Sequence, residues 1–356
     1  MTVVHRPDDA RIRERQIQSL LDAGHEVVYA APYSGWNVEP DEMTRTIDLP
    51  RAQGRQRIAA ARAAHEWMKR EAPSCDVVLV HDPELVPALI TLDHPAKVWD
   101  VHEDTAAALT MKAWLPSGLR SVTARCVQQL EQQAERKVHL ILAEEAYAER
   151  FRQPHPIVPN STAVPTAVPP STVPRAVYVG HVTRARGGDE LIEVAAQLRK
   201  TNSKLRLEII GHADFELTTA LTAAQAAGNL IWHGFVSNST ALTIIEGSMA
   251  GLSLLHDEPN YRHSRPTKIL EYMARGLPVV TTPTPPAREL VDQYQCGIVV
   301  PFRDPVAVVN ALKILENDAT LRQGFADAGR RGALADHDWN SDSRRFVQQL
   351  QEWAGA

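Results

Sequence analysis

The sequence has little that would staple, span or coat. Its three cysteines, Cys75, Cys126 and Cys296, are too few and too far apart for a disulfide framework or a thiolate metal site. Their expected state is the buried free thiol of a reducing compartment. Long apolar runs are missing too, and no stretch nears the roughly 20 residues that a membrane span needs. The first residues pass from "TVVH" straight into a polar turn, which predicts no signal peptide. A net charge of −5 lacks the basic excess of a nucleic-acid-binding surface. Neither a Walker loop nor a G-x-G-x-x-G fingerprint is present. Together these absences point to a cytoplasmic protein that touches a membrane, if at all, only peripherally at its inner face.

What is present is ordinary globular material, 44% hydrophobic and 23% charged, in 356 residues. That length exceeds what one core usually serves and implies two domains. Short apolar runs alternate with amphipathic stretches. "TVVH", "HEVVYAA", "CDVVLVH", "AKVWDVH" and "VHLILA" read as strands, with helices over about 10–23 and 117–137. The Pro/Ser/Thr-rich run "QPHPIVPNSTAVPTAVPPSTVPR" has no period and reads as an extended linker, placed at 156–175. A second series follows: "AVYVG", "LRLEIIG", "LIWHG", "GLSLL", "LPVVTT" and "GIVV". Helices are expected over 188–199, 217–227, 240–246, 306–315 and 344–353. Strands of this kind separated by helices form parallel, doubly wound sheets. Domains at 1–155 and 176–339 follow, with a last helix at about 340–356. Ligands of such sheets bind at the carboxyl ends of the strands, here in the cleft between domains.

The stretch "YRHSRPTKILEYMARGLPVVTT" carries the most chemistry. Pro266 suits a first helical turn, where a missing N–H costs nothing. The unpaired N–H groups of Thr267 and Lys268, the helix dipole and the Lys268 ammonium make an anion site. Glu271 lies on the same face and suits a vicinal diol, since its two oxygens accept two O–H bonds. The pair suggests a nucleoside diphosphate, with phosphate on Lys268 and ribose on Glu271. The alternative is a solvated Lys/Glu pair that stabilises the helix by a few tenths of a kcal/mol. In "YVGHVTRARGGDELIEVA" a strand ends at Gly180, and a loop then carries His181, Arg184, Arg186 and two glycines. Such a loop suits a pyrophosphate, or is an ordinary basic surface loop. His81 and His102 each end a strand. Asp104 reads as a helix N-cap rather than a metal ligand, His81 as a loop support, and His102 as the histidine facing the cleft. Asp8 or Asp9 caps the first helix, and Arg11 is a second candidate for the cleft.

Taken in order, "HRPDDARI", "GHEV", "VHDPEL", "DVHED", "VPN", "YVGHVTRARG", "IIGH", "WHGFV", "NYRHSRPTKILEYMARGLPVV", "ARELV" and "CGIVV" resemble a retaining glycosyltransferase of family 4. The resemblance covers nearly the whole chain. It implies the GT-B fold, two Rossmann-like domains facing each other across a cleft, with the last helix, at about 340–356, returning to the first domain. It also implies a sugar-nucleotide donor, UDP-linked ahead of GDP-linked, with no metal and no other cofactor. Glu271 matches the second glutamate of the family's Glu-x7-Glu motif, and His263 stands where the first would be. His181 and Arg186 fall on the family's phosphate-binding Arg/Lys pair. His102 matches the histidine near the donor sugar. Gly211, His212, Phe235 and Val236 lie where the base packs, and Tyr261 belongs to the same nucleotide-sugar site. The family's glycine-rich first loop is replaced by "HRPDDAR".

The resemblance makes His102, Arg186 and Lys268 the catalytic set of a front-face reaction. The acceptor, a glycan, a lipid-linked sugar or a small molecule, is not specified. Six basic residues against one acid between Arg51 and Arg70 fit anionic lipid, a phosphorylated acceptor or a solvated face. A sugar-nucleotide epimerase of the same fold, or a non-catalytic sugar-nucleotide-binding partner protein, would share the nucleotide site. A glycan phosphorylase would need a pyridoxal lysine, for which there is no mark.

Overall fold

The computed structural model describes residues 1–102, 117–201, 203–262 and 264–355. The expected Asp104 cap and His263 lie outside the described residues. The chain forms two compact units, Met1–Asn160 with Asn340–Ala356, and Ser161–Trp339.

In the first unit β1 (Val28–Ala31) pairs with β2 (Arg45–Asp48), and β3 (Val78–Val80), β4 (Lys97–Val101) and β5 (His139–Leu142) form a second parallel set. The extended residues 1–3 bridge them, since Thr2 N donates to the Ala30 oxygen and His81 N to the Met1 oxygen. His5, His81 and His102 therefore all follow the carboxyl ends of parallel segments. Asp9 caps the first helical turn, its Oδ1 accepting from Arg11 N and Ile12 N. That helix is wide-turned over Ala10–Ile17 and ordinary over Gln18–Asp22. The final helix, Trp339–Ala354, contributes Trp353, whose ring stacks on His139 at 4.5 Å.

The second unit is a six-stranded parallel sheet in the order β11-β10-β9-β6-β7-β8. Its strands are β6 (Val173–Val179), β7 (Arg206–Ile210), β8 (Leu230–Trp232), β9 (Ser248–Ser253), β10 (Val279–Thr281) and β11 (Gly297–Val299). The strands grow outward in both directions from β6 and β9, so the topological switch point lies between them. A ligand crevice is expected there. One apolar cluster, with Leu191, Leu207, Leu252 and Leu312, covers one face of the sheet. Another, with Val177, Ile269, Tyr272 and Leu290, covers the other. Each fully buried aliphatic side chain adds about 1.5–3 kcal/mol.

Three expectations need correction. Residues 173–175, read as linker, open β6. Pro174 is tolerated because the β6–β9 register shifts between Val173 and Ala176. Two helices, Pro285–Tyr294 and Ala319–Asp336, and the strand β2 were not anticipated. Of the free cysteines only Cys296 is buried. Cys75 is half-buried and Cys126 exposed.

Candidate functional site

The helix Thr267–Ala274 is set against β9 and β6 by one side chain. The fully buried Tyr272 donates its hydroxyl hydrogen to the Leu252 oxygen at 3.1 Å and accepts from Val179 N at 3.0 Å. Pro266 is the N-cap rather than a first-turn residue. Thr267 and Lys268 open the helix without a side-chain cap. Gly276, at φ 65°, closes it: its N–H reaches the Met273 oxygen, and Leu277 N reaches the Tyr272 oxygen. The first turn thus points to the carboxyl ends of β6 and β9, at the switch point.

Lys268 is only 8% exposed, and among the described residues its Nζ has no hydrogen-bond partner. It lies 3.7 Å over the ring of the buried Tyr178, and a Cβ on Gly180 would stand 3.4 Å from it. Burial, and after it the Arg186 guanidinium, push the Lys268 pKa well below the ordinary lysine value, while Glu271 opposes them. Arg186, largely buried, donates from Nε to the Tyr261 hydroxyl at 3.4 Å. An arginine and a lysine therefore share one cradle at the end of β6, and among the described residues the buried lysine nitrogen has no hydrogen-bond acceptor to offset its charge. Uncompensated buried charge is costly. A bound anion would remove the cost.

Glu271 is buried three residues further on, its Oε1 accepting from Asn238 Nδ2 at 3.1 Å. His181 is drawn away from the role of a permanent cation. Its Nε2 lies 2.8 Å from Asp214 Oδ1, and its ring stacks on His212 at 4.0 Å. Burial and the His212 ring lower its pKa, with Asp214 pulling the other way. The positive charge at this loop therefore rests on Arg186 and Lys268. His212 also lies 6.3 Å from the half-exposed Phe235, so β6, β7 and β8 end in an aromatic row. Val236 packs into the apolar cluster beneath. Gly211, at φ 137°, brings the strand ends together, since a Cβ there would meet the Gly180 oxygen at 2.1 Å.

His102 belongs to the first unit. Its Nδ1 lies 3.1 Å from the Asp100 carbonyl oxygen, and its Nε2 lies 3.1 Å from His5 Nε2. The buried Asp100 holds Arg11 through Nε at 2.8 Å and Nη2 at 2.6 Å, Gln16 at 3.0 Å and His81 Nδ1 at 3.2 Å. Arg11 is thus a buried ion-pair partner. Among the described residues His81, Asp100 and His102 are a group whose ligating atoms all fall within 4.8 Å of one another. The Arg11 guanidinium already neutralises that carboxylate, so a cation there would face a like charge, and the residues do not fit a metal. Burial pushes the His81 pKa down to about 4, which leaves the ring neutral at neutral pH.

The basic run between Arg51 and Arg70 is partly neutralised. Arg57 pairs with Glu84, Arg70 with Glu71 and Lys69 with Glu66, and the Arg51 guanidinium lies 3.3 Å over the Trp36 ring. Among the described residues no helix is long and apolar enough to cross a membrane.

Sequence reasoning singled out Lys268, Glu271 and Arg186, which lie together in the second unit, but not their neighbours Asn238 and Tyr178, nor Asp214 beside His181, nor His5 beside His102 in the first unit. His5 alone carried a signal, as a third histidine after an apolar run.

Comparison with known proteins bears on the fold. The solved structure of sucrose-phosphate synthase from Thermosynechococcus elongatus superposes with a TM-score of 0.72 at 16% identity, over 95% of this chain and 92% of that one. The fold is GT-B. Anabaena HepE, solved with UDP and glucose, gives a TM-score of 0.68 at 14% identity, over 98% of both chains. Within this GT-B chain, residues 165–332 match the family described as Glycosyl transferases group 1. That domain contains every second-unit site residue named above. EpsD of Bacillus subtilis (strain 168) is 24% identical over 160 residues, 44% of this chain and 40% of EpsD. The match therefore spans less than half the length of that relative.

Proposed function

We propose that this protein is a retaining glycosyltransferase of the family 4 type, cytoplasmic and metal-independent, which moves a sugar from a nucleotide-sugar donor to an acceptor hydroxyl. The observation that carries the reading is Lys268. A buried lysine nitrogen with no hydrogen-bond partner among the described residues, beside Arg186 and at a helix start, is a cradle suited to anionic oxygen. Glu271, three residues into the same helix, is the ribose acceptor. UDP is the preferred nucleotide, a choice supported by the group 1 domain and by the UDP bound in HepE.

In the reaction the acceptor oxygen bonds to the anomeric carbon as the bond from that carbon to the phosphate oxygen breaks. The acceptor proton passes to the departing phosphate oxygen on the same face. Charge grows on the diphosphate, and Arg186, Lys268 and the first N–H groups of the helix stabilise it more in the transition state than in the ground state. His102 orients the donor sugar.

A thermal-shift screen of sugar nucleotides, followed by product analysis of the hits in EDTA, tests this. Nucleoside diphosphate release that needs Arg186 and Lys268 is the expected result. An isomerised donor without release would make the protein an epimerase, and binding with neither would make it a non-catalytic partner. A strict Mg²⁺ or Mn²⁺ requirement would contradict the phosphate site.

A further inference from the structure

The contact between His5 and His102 joins two side chains on different loops of the first unit. Their Nε2 atoms lie 3.1 Å apart, and the rings are tilted by 52° with centroids at 4.8 Å. The partners of His102 fix which nitrogen holds its proton. Among the described residues Nδ1 faces only acceptors: the Asp100 carbonyl oxygen at 3.1 Å and Asp100 Oδ2 at 3.5 Å. Nδ1 therefore carries the hydrogen, and Nε2 presents a lone pair. The proton between the two rings must then come from His5. His5 is set up to supply it. Its Nε2 also lies 3.4 Å from Asp82 Oδ1, and its Nδ1 lies 4.0 Å from Asp9 Oδ2. Asp82 is itself rigid, since it is fully buried and accepts from Thr2 Oγ1, Val3 N and Val4 N. The pair is flanked by the neutral His81, whose ring centroid is 5.9 Å from that of His102, and by the Asp100–Arg11 ion pair.

We propose that His5 is a positioning residue for His102. Its Nε2–H holds the His102 ring, whose tautomer Asp100 sets, in one orientation, so that the Nε2 lone pair is aimed where a donor-sugar hydroxyl can donate to it. On donor binding that hydroxyl replaces His5, and the His5 N–H turns to Asp82, which already lies 3.4 Å away. This inference rests on the glycosyltransferase reading and on His102 standing at the donor sugar. It adds a residue of the loop "HRPDDAR", where the first-loop glycines of the resemblance are absent.

The test compares His5→Ala, His5→Gln and His5→Asn in the full chain. A glutamine amide nitrogen can reach the place of Nε2, whereas an asparagine nitrogen reaches only that of Nδ1. Turnover should fall about tenfold in His5→Ala and His5→Asn, and glutamine should restore most of it. The UDP dissociation constant should stay within about twofold in all three, since the UDP contacts lie in the other unit. Imidazole ¹⁵N NMR, assigned by loss of the signal in His102→Ala, should show His102 protonated at Nδ1 in the wild type and in His5→Gln. In His5→Ala Asp100 still holds the hydrogen on Nδ1, and the Nε2 resonance should move to that of a ring nitrogen without a hydrogen bond. Wild-type turnover in His5→Ala, or an Nε2-protonated His102 in the wild type, overturns the proposal. The NMR readout needs no turnover, so the two failures are distinct. A His5-dependent Nε2 hydrogen bond in a protein that releases no nucleoside diphosphate from any sugar nucleotide overturns the transferase reading, and with it the positioning role of His5 in transfer, but leaves the hydrogen bond standing.

Discussion

Replacing Lys268 by methionine should stabilise the free protein while it weakens nucleotide binding. In the free protein the Lys268 side chain is buried, has no hydrogen-bond acceptor among the described residues and faces the Arg186 charge. Leaving a buried polar group unmade costs about 1–3 kcal/mol, and more for a charge. The Tyr178 ring, 3.7 Å away, returns roughly 1–2 kcal/mol of that. Methionine keeps the length and the apolar stem and can still touch the ring. A net gain of about 1–2 kcal/mol is expected, which for a domain of this size raises Tm by about 2–8 °C. Nucleotide loses a charge-assisted contact worth about 1.5–3 kcal/mol, so the UDP dissociation constant rises about 10- to 150-fold. The sign with pH follows from linkage. The folded-state Lys268 pKa lies below its unfolded value, so between the two the unfolded chain holds the extra proton and stability rises with pH. Lys268→Met should flatten that slope. Bound diphosphate has the opposite effect, favouring the charged form, so UDP affinity should fall as pH rises through the same window. Scanning calorimetry and titration calorimetry on one preparation read both effects. A lower Tm with unchanged UDP affinity would refute the reasoning, because Lys268 would then be a packing residue.

Glu271→Gln puts an N–H donor where a diol hydroxyl should donate, and UDP affinity should drop by about 1.5–3 kcal/mol in titration calorimetry while the fold is kept. His102→Ala should leave UDP affinity within about twofold yet slow turnover about tenfold or more, and a lowered Tm with normal turnover would show a merely structural histidine. His81 titrates at about 4 in the folded protein against 6.5 in the unfolded chain, so the stability it contributes is lost as pH falls from 6.5 toward 4. His81→Asn should remove up to about 3 kcal/mol of that pH dependence, measured as unfolding free energy against pH.

The strands of both units were legible because buried parallel strands are continuous apolar runs between punctuating polar residues, as in "CDVVLVH" and "LRLEIIG". The helix Ala319–Asp336 was not, because Gly324, Gly329 and Gly332 argue against a helix locally. Two of these glycines answer to packing instead: a Cβ on Gly332 would stand 2.2 Å from the Tyr294 ring, and one on Gly329 3.1 Å from Cys296, whereas one on Gly324 would meet nothing within 4 Å. The strand β2 was hidden by brevity, four residues with both end residues exposed. The site divides in the same way. Lys268 and Glu271 share one helix turn, and Arg186 sits in one loop, so spacing alone reveals them. Asn238 and Asp214 reach Glu271 and His181 from 33 residues away in each case, a distance no local pattern encodes. His5 and His102 are 97 residues apart and meet only because the extended residues 1–3 lie beside β3.

The central claim is glycosyl transfer from a nucleotide sugar, and proton NMR of the anomeric region during turnover tests it most directly. The protein would be incubated in EDTA with the sugar nucleotide that stabilises it most, plus a panel of acceptor alcohols and glycans. The account predicts stoichiometric release of the nucleoside diphosphate and a product whose anomeric coupling matches that of the donor. Release with inverted coupling would contradict the front-face mechanism, and a donor that binds tightly but stays intact with every acceptor would contradict the claim itself.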